Sequence, residues 1–208
     1  MRASDRAYRA LRTEILEGEL PAGTVLAEVE QSLRLGVSRT PLREALARLS
    51  SEALVSTHSG RGVVVTDVSI ERVNELFEVR QALEEQAARL AARRRDPAVF
   101  EALQIEFRRA HELLENGERG LREYYDLVAR LDEAIDSAVR NEFLVSTLAG
   151  VRTHIARIRR LSADNPERLR EAAREHLTIV DAIVDGEESL AAHATQLHLY
   201  KSLKNIIE

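Results

Sequence analysis

Leu35-Gly36-Val37-Ser38-Arg39-Thr40-Pro41-Leu42-Arg43-Glu44-Ala45-Leu46-Ala47-Arg48-Leu49 is the stretch on which the reading of this chain turns. Gly36 stops the helix before it, and Ser38 is a good N-cap for the next. Pro41 falls in the first turn, where its missing N–H costs little. Leu42, Ala45, Leu46 and Leu49 recur at three- and four-residue spacing, the apolar face of a helix running to about Ser50.

The pattern extends outward on both sides. Tyr8, Leu11, Ile15 and Leu16 share a face of an upstream helix that ends at Gly18. A Pro21-Ala22-Gly23 turn follows, then a second helix expected over Leu26 to Leu35. Downstream, Leu54-Val55-Ser56-Thr57 and Val63-Val64-Val65-Thr66 are strand-like and flank the turn-rich His58-Ser59-Gly60-Arg61-Gly62. Near residue 67 the texture changes to long helical periodicity with few breakers, which places a boundary at about Thr66 to Ser69. Six helices are expected beyond it: Ile70 to Arg95, Ala98 to Asn116, Leu121 to Arg140, Glu142 to Leu161, one from Asp164-Asn165-Pro166 to Gly186, and one from Glu188 onward. Short loops predict antiparallel packing of consecutive helices. The fold class is therefore mainly α: a winged helix-turn-helix over residues 1–67, then an all-helical bundle of about six helices over 68–208.

Composition narrows the function. Of 208 residues, 44% are hydrophobic and the net charge is -5, so the chain is neither disordered nor strongly basic. Without cysteine it has no disulfide framework, thiolate nucleophile or zinc–thiolate site. Its longest run free of Asp, Glu, Lys and Arg, Ser189 to Tyr200, is too short to span a bilayer. The charged N-terminus lacks the features of a secretory signal, and a cytoplasmic protein with no membrane partner is expected. Residues 34–62 hold five Arg (34, 39, 43, 48 and 61) against Glu44 and Glu52, a net of +3. Residues 68–208 carry 21 basic against 26 acidic side chains. Basic charge is thus local to one candidate DNA-reading face: Ser38, Arg39, Thr40 and Arg43 at a helix start, which favours phosphate, and Ser59, Gly60 and Arg61 at the wing tip. Arginine can also pair bidentately with guanine edges. One recognition helix reads few base pairs, so a homodimer on half-sites about one helical turn apart is expected.

At these residues the chain resembles the GntR family of bacterial transcriptional regulators. Ile15 to Leu26, Leu35 to Leu49 and the wing Gly60-Arg61-Gly62-Val63-Val64-Val65 carry the resemblance. It implies operator contacts by Ser38, Arg39, Thr40, Arg43 and Gly60, with Ser59 and Arg61 beside it. Val29 stands where some relatives carry a DNA-contacting Arg, and Ala53 where a Gly is usual. The second segment resembles the FCD effector domain of FadR-like members. The carrying residues are Glu78 to Glu84, Ala88 to Ala92, Leu131 to Ile135 up to Asn141, Glu175-His176, Ala182-Ile183 with Gly186, and Leu197-His198-Leu199.

That resemblance implies a small-metabolite effector, often a carboxylate, bound in the bundle. Arg80 and Arg152 are the candidate effector-binding residues. Many such domains hold a divalent metal on one Asp and three His; here Asp132, His176 and His198 remain as candidate ligands for zinc or nickel, while Val128 stands at the Asp position. The resulting expectation is a ligand-responsive repressor or activator binding double-stranded operator DNA. An all-α metalloenzyme using Asp132, His176 and His198 is the alternative, and a dimeric scaffold that has lost DNA binding is a third reading. No acid/base set, phosphate-cradling loop or nucleophile motif supports an enzyme.

Overall fold

The computed structural model describes residues 1–58, 62–67, 70–161 and 165–207. The chain forms two compact units: Met1–Ser69 with Thr153–Ile158, and Ile70–Arg152 with Arg159–Glu208.

In the first unit, α1 (Ala3–Leu16), α2 (Glu28–Arg34) and α3 (Arg39–Ser51) are joined by β1 (Val25–Leu26), β2 (Val55–His58) and β3 (Gly62–Val65). Leu11, Ile15, Leu42, Leu46, Leu49 and Leu54 form its core. The apolar stripes of α1 and α3 therefore face each other, as their spacing predicts. The second helix begins later than expected. Val25 and Leu26 instead form a short strand, pairing antiparallel with Val64 and Val63. The expected two-stranded hairpin is a three-stranded sheet of order β1-β3-β2. Two residues carry too little period to distinguish strand from helix start, and long-range pairing to β3 decides the matter.

In the second unit, α4 (Ile70–Arg94), α5 (Pro97–Arg108), α6 (Ala110–Leu113), α7 (Gly117–Val139), α8 (Glu142–Leu161), α9 (Pro166–Asp185) and α10 (Glu188–Ile207) form the bundle. Among the described residues this is seven helical segments rather than six. The expected Ala98 to Asn116 helix breaks at Arg109, whose amide bonds Glu106 O in a tighter turn. Capping follows the sequence: Asp96 and Asn165 each accept a backbone N–H ahead of a first-turn proline, and Asn141 accepts from Phe143 N and Leu144 N. Gly186 ends α9 in the left-handed region. Phe100, Phe107, Tyr124, Leu127, Val128, Leu131, Val180 and Ile183 fill the core. The principal pairings are α10 with α4 and α9, α5 with α9, and α4 with α7. Consecutive packing thus holds for α9 and α10, but α4 finds its main partners far along the chain. No helix among the described residues is long and apolar enough to cross a membrane.

Candidate functional site

Two places bring together the side chains that the sequence reading singles out. The first is the exposed face of α3. Ser38 caps the helix in an extended conformation, but its side chain makes no cap hydrogen bond. Ser38, Arg39, Thr40 and Arg43 are all exposed. Arg43 meets Glu28 at the surface: Nε donates to the carboxylate at 2.9 Å and Nη2 lies 2.8 Å from Oε2. Ser59, Gly60 and Arg61 lie outside the described residues.

The net of +3 counted over residues 34–62 overstates the free charge. Arg34 donates to both oxygens of Glu14, at 2.7 and 2.6 Å. Arg48 donates to Asp5 at 2.9 Å and lies over the Tyr8 ring, 3.8 Å from its centroid. The partners Asp5, Glu14 and Glu28 all lie outside that sequence window. Of the four described arginines in that window, Arg39 and the outer edge of Arg43 remain accessible, and Arg61 lies outside the described residues.

The second place is a cavity in the bundle, lined by Arg80 and Glu84 of α4, Asp132 of α7, Arg152 of α8, His176 of α9, and Thr195 and His198 of α10, together with apolar side chains. Its volume is about 30 Å³. That is on the order of one water molecule rather than a metabolite. All five residues expected at an effector or metal site thus meet in one cavity, although they come from five helices.

The electrostatics of the lining are specific. Arg80 is buried, with Nε donating to Glu84 at 2.7 Å. Arg152 Nη1 donates to Asp136 at 2.6 Å, and Nη2 lies 3.6 Å from Asp132. Burial works against its charge, but Asp132 and Asp136 outweigh it and hold the guanidinium pKa above its ordinary value. Arg152 Nε and Asp136 Oδ1 are buried without a hydrogen-bond partner among the described residues. Orphaned donors of this kind are rare inside proteins and call for a ligand or a water.

Both histidines are oriented by groups that sequence reasoning missed. His198 Nδ1 lies 2.8 Å from Glu175 Oε2, and His176 Nδ1 lies 2.9 Å from the Tyr124 hydroxyl. The imidazoles lie against each other at a tilt of 45°, with centroids 4.4 Å apart. Glu175 also accepts from Arg168 at 3.1 and 2.8 Å and pairs with Lys201 at 3.2 Å. Burial alone would raise its pKa, but the bonds from His198 and Arg168 pull it down to about 2. His198 is pushed below its usual range, first by burial, despite the Glu175 bond. It is therefore neutral near pH 7, with its proton on Nδ1 facing the ionised Glu175. Adjacency to His176 is the only sequence signal that points to Glu175. Tyr124 gives none beyond its place on an apolar stripe.

The geometry lends the metal expectation no support. Among the described residues, no group of three or more His, Cys, Asp or Glu is placed to hold a metal ion. Asp132 belongs to an ion-pair cluster with Arg152, and Val128 is packed in the core. Two guanidiniums already supply positive charge to the cavity, so the donor set does not fit a resident dication.

Comparison with known proteins agrees with this architecture. Residues 3–65 match the model of the gntR family of bacterial regulatory proteins, and residues 75–201 match the FCD domain. An uncharacterized HTH-type transcriptional regulator in an unstable DNA locus of Streptomyces ambofaciens is 30% identical over 194 residues, 92% of this chain and 80% of that protein. The HTH-type transcriptional repressor RspR of Escherichia coli K12 is 25% identical over 203 residues, 98% and 88% of the two chains. Among solved structures, E. coli McbR/YncC superposes with a TM-score of 0.78 at 22% identity, covering 100% of this chain and 98% of its own, a likeness of fold. The family model and both sequence relatives are described as transcriptional regulators rather than enzymes, which removes the metalloenzyme alternative. With a winged helix-turn-helix ahead of an FCD bundle, the chain belongs to the GntR family of DNA-binding bacterial transcriptional regulators, with a ligand-binding C-terminal domain.

Proposed function

We propose that residues 1–67 read operator DNA, that residues 68–208 bind a small carboxylate effector and pair two copies of the chain, and that the protein works in the cytoplasm. Ser38, Arg39, Thr40 and Arg43 contact the duplex, with Ser59, Gly60 and Arg61 of the wing tip beside them. The observation that carries this reading is the exposure of Arg39 and Arg43, four residues apart on one face of α3. A gel shift tests it: Arg39→Ala with Arg43→Ala abolishes specific complexes if the reading holds, and unchanged complexes overturn it.

The effector carboxylate goes to Arg152, with Arg80 supplying further positive charge. The orphaned Nε–H supports this assignment, as does the long 3.6 Å approach to Asp132, which an incoming carboxylate can displace. A cavity of about 30 Å³ must widen to admit such a ligand. Ligand-free and ligand-bound bundles then differ in packing, as an effector that shifts a conformational equilibrium requires. Anion recognition proceeds through guanidinium rather than through a metal. Thermal denaturation against a panel of small carboxylates, with EDTA present, raises the melting temperature of the wild type but not of Arg152→Gln. Elemental analysis finding stoichiometric zinc or nickel would overturn the metal-free reading.

Pairing of two copies is placed on the outer face of α10. Leu190, Leu197, Tyr200 and Ile207 are exposed there at 50%, 53%, 64% and 42%. Leu190 and Leu197 are seven apart, as are Tyr200 and Ile207, which gives a heptad seam opposite the face that packs on α4 and α9.

A further inference from the structure

We propose that Glu28 is a positioning residue for base recognition: it clamps one edge of the Arg43 guanidinium so that the other edge is presented as a fixed fork to guanine. The proposal rests on Arg43 reaching the operator and adds a residue that the reading above leaves out.

Glu28 opens α2, whose positive N-terminal end favours a carboxylate at that place. Arg43 lies in the second turn of α3. The two side chains meet side-on, with Nε 2.9 Å from both carboxylate oxygens and Nη2 2.8 Å from Oε2. A guanidinium carries its N–H groups in one rigid plane. Engaging the Nε/Nη2 edge leaves both Nη1 protons and the outer Nη2 proton projecting at the far end. That end matches the paired O6 and N7 acceptors of guanine in the major groove.

Stability does not explain the pair. Its side chains are 64% and 34% exposed, and exposed ion pairs contribute little to folding. Its consequence lies in recognition. An unclamped arginine swings between phosphates and bases and binds every sequence somewhat. A clamped one has lost that freedom before DNA arrives, so less order is imposed on binding. Glu28 itself repels the phosphate backbone, which weakens non-specific association. The pair thus trades overall affinity for discrimination.

The test uses the full chain and a pool of random-sequence duplexes, from which bound molecules are recovered and sequenced. Wild type, Glu28→Gln, Glu28→Asp, Arg43→Ala and the Glu28→Gln/Arg43→Ala double variant are compared, with a thermal melt of each. The expected result is that Arg43→Ala and Glu28→Gln lose preference at the same single base pair in each half-site, with discrimination there falling about five- to tenfold in Glu28→Gln. The remaining positions and the melting temperature stay as in wild type, and affinity for random duplex rises about two- to fivefold as a negative charge is removed. Glu28→Asp recovers part of the preference, and the double variant loses no more than Arg43→Ala. If Arg43→Ala erases a base pair while Glu28→Gln leaves it intact, this proposal is overturned and the base recognition by Arg43 stands. A Glu28→Gln effect spread over all positions with a lowered melting temperature is structural damage and also overturns it. If Arg43→Ala leaves the selected motif unchanged, the reading of Arg43 as a base-recognising residue falls and the proposal falls with it.

Discussion

Glu175 and His198 are joined by a buried hydrogen bond of 2.8 Å that ties α9 to α10 beside the bundle cavity. Both groups titrate below their ordinary values, His198 below 6.5 and Glu175 from 4.5 to about 2. A depressed pKa in the folded state means that the unfolded chain binds the proton more readily, so stability falls as pH falls. The contribution of His198 is complete above about pH 6.5 and lost below it, and that of Glu175 is lost between about 4.5 and 2. Urea midpoints measured from pH 8 to 3 should decline in two stages. Glu175→Gln should flatten the lower stage, and Glu175→Ala should cost about 3 kcal/mol by removing the main carboxylate partner of Arg168, which keeps Ser202 and a 3.9 Å approach to Glu171.

Arg39 and Arg43 are separable by salt. Each alanine variant should weaken operator binding by about 1–3 kcal/mol. If Arg39 neutralises a phosphate, its removal should lower the slope of log affinity against log salt by about 0.9. Removal of Arg43 should chiefly erase sequence preference and change the slope less. Fluorescence anisotropy across a salt titration reads both; identical behaviour of the two variants would contradict the division of roles.

Two backbone positions should respond in opposite senses to exchange of glycine and alanine. Ala53 follows α3 with a φ of 53°, in the left-handed region, and is exposed. Ala53→Gly should raise stability by about 0.5–1 kcal/mol through relief of that conformation. Gly120 is the reverse case: a Cβ there would sit 1.7 Å from the Leu113 carbonyl oxygen. Gly120→Ala should cost about 1–3 kcal/mol or more, since backbone must move. Chemical denaturation of both variants checks the signs.

If Leu197 and Tyr200 hold two copies together, Leu197→Glu with Tyr200→Glu should halve the mass seen by sedimentation equilibrium while leaving the helical circular dichroism intact. An unchanged mass would move the interface elsewhere.

The helix-turn-helix is legible because Leu42, Ala45, Leu46 and Leu49 satisfy one period and their neighbours Gly36 and Ser38 mark its start. Leu26 is not, because its strand pairing with Val63 reaches across the domain. The break at Arg109 has no proline or glycine to announce it. The charge of the DNA face is misjudged for a related reason: Asp5, Glu14 and Glu28 neutralise arginines 43, 20 and 15 residues away. In the bundle, Arg80, Asp132, Arg152, His176 and His198 are picked out by the family resemblance rather than by periodicity, since the helices that carry them hold many other charged side chains, and all five line the cavity. Glu175 does not stand out, because a glutamate on a helix resembles any solvated surface charge until Arg168 and His198 are seen to enclose it.

The two-residue strand β1 bears on how this domain could be transplanted. Gly23 N bonds Val65 O and Val65 N bonds Thr24 O, so the wing is stitched on its far side to the segment that leads into α2. A chimera that grafts residues 54–66 alone onto another scaffold would leave β3 with an open edge. A workable cassette must begin upstream of Gly23, which makes the reading head of this regulator a single exchangeable part rather than a helix pair with a detachable hairpin.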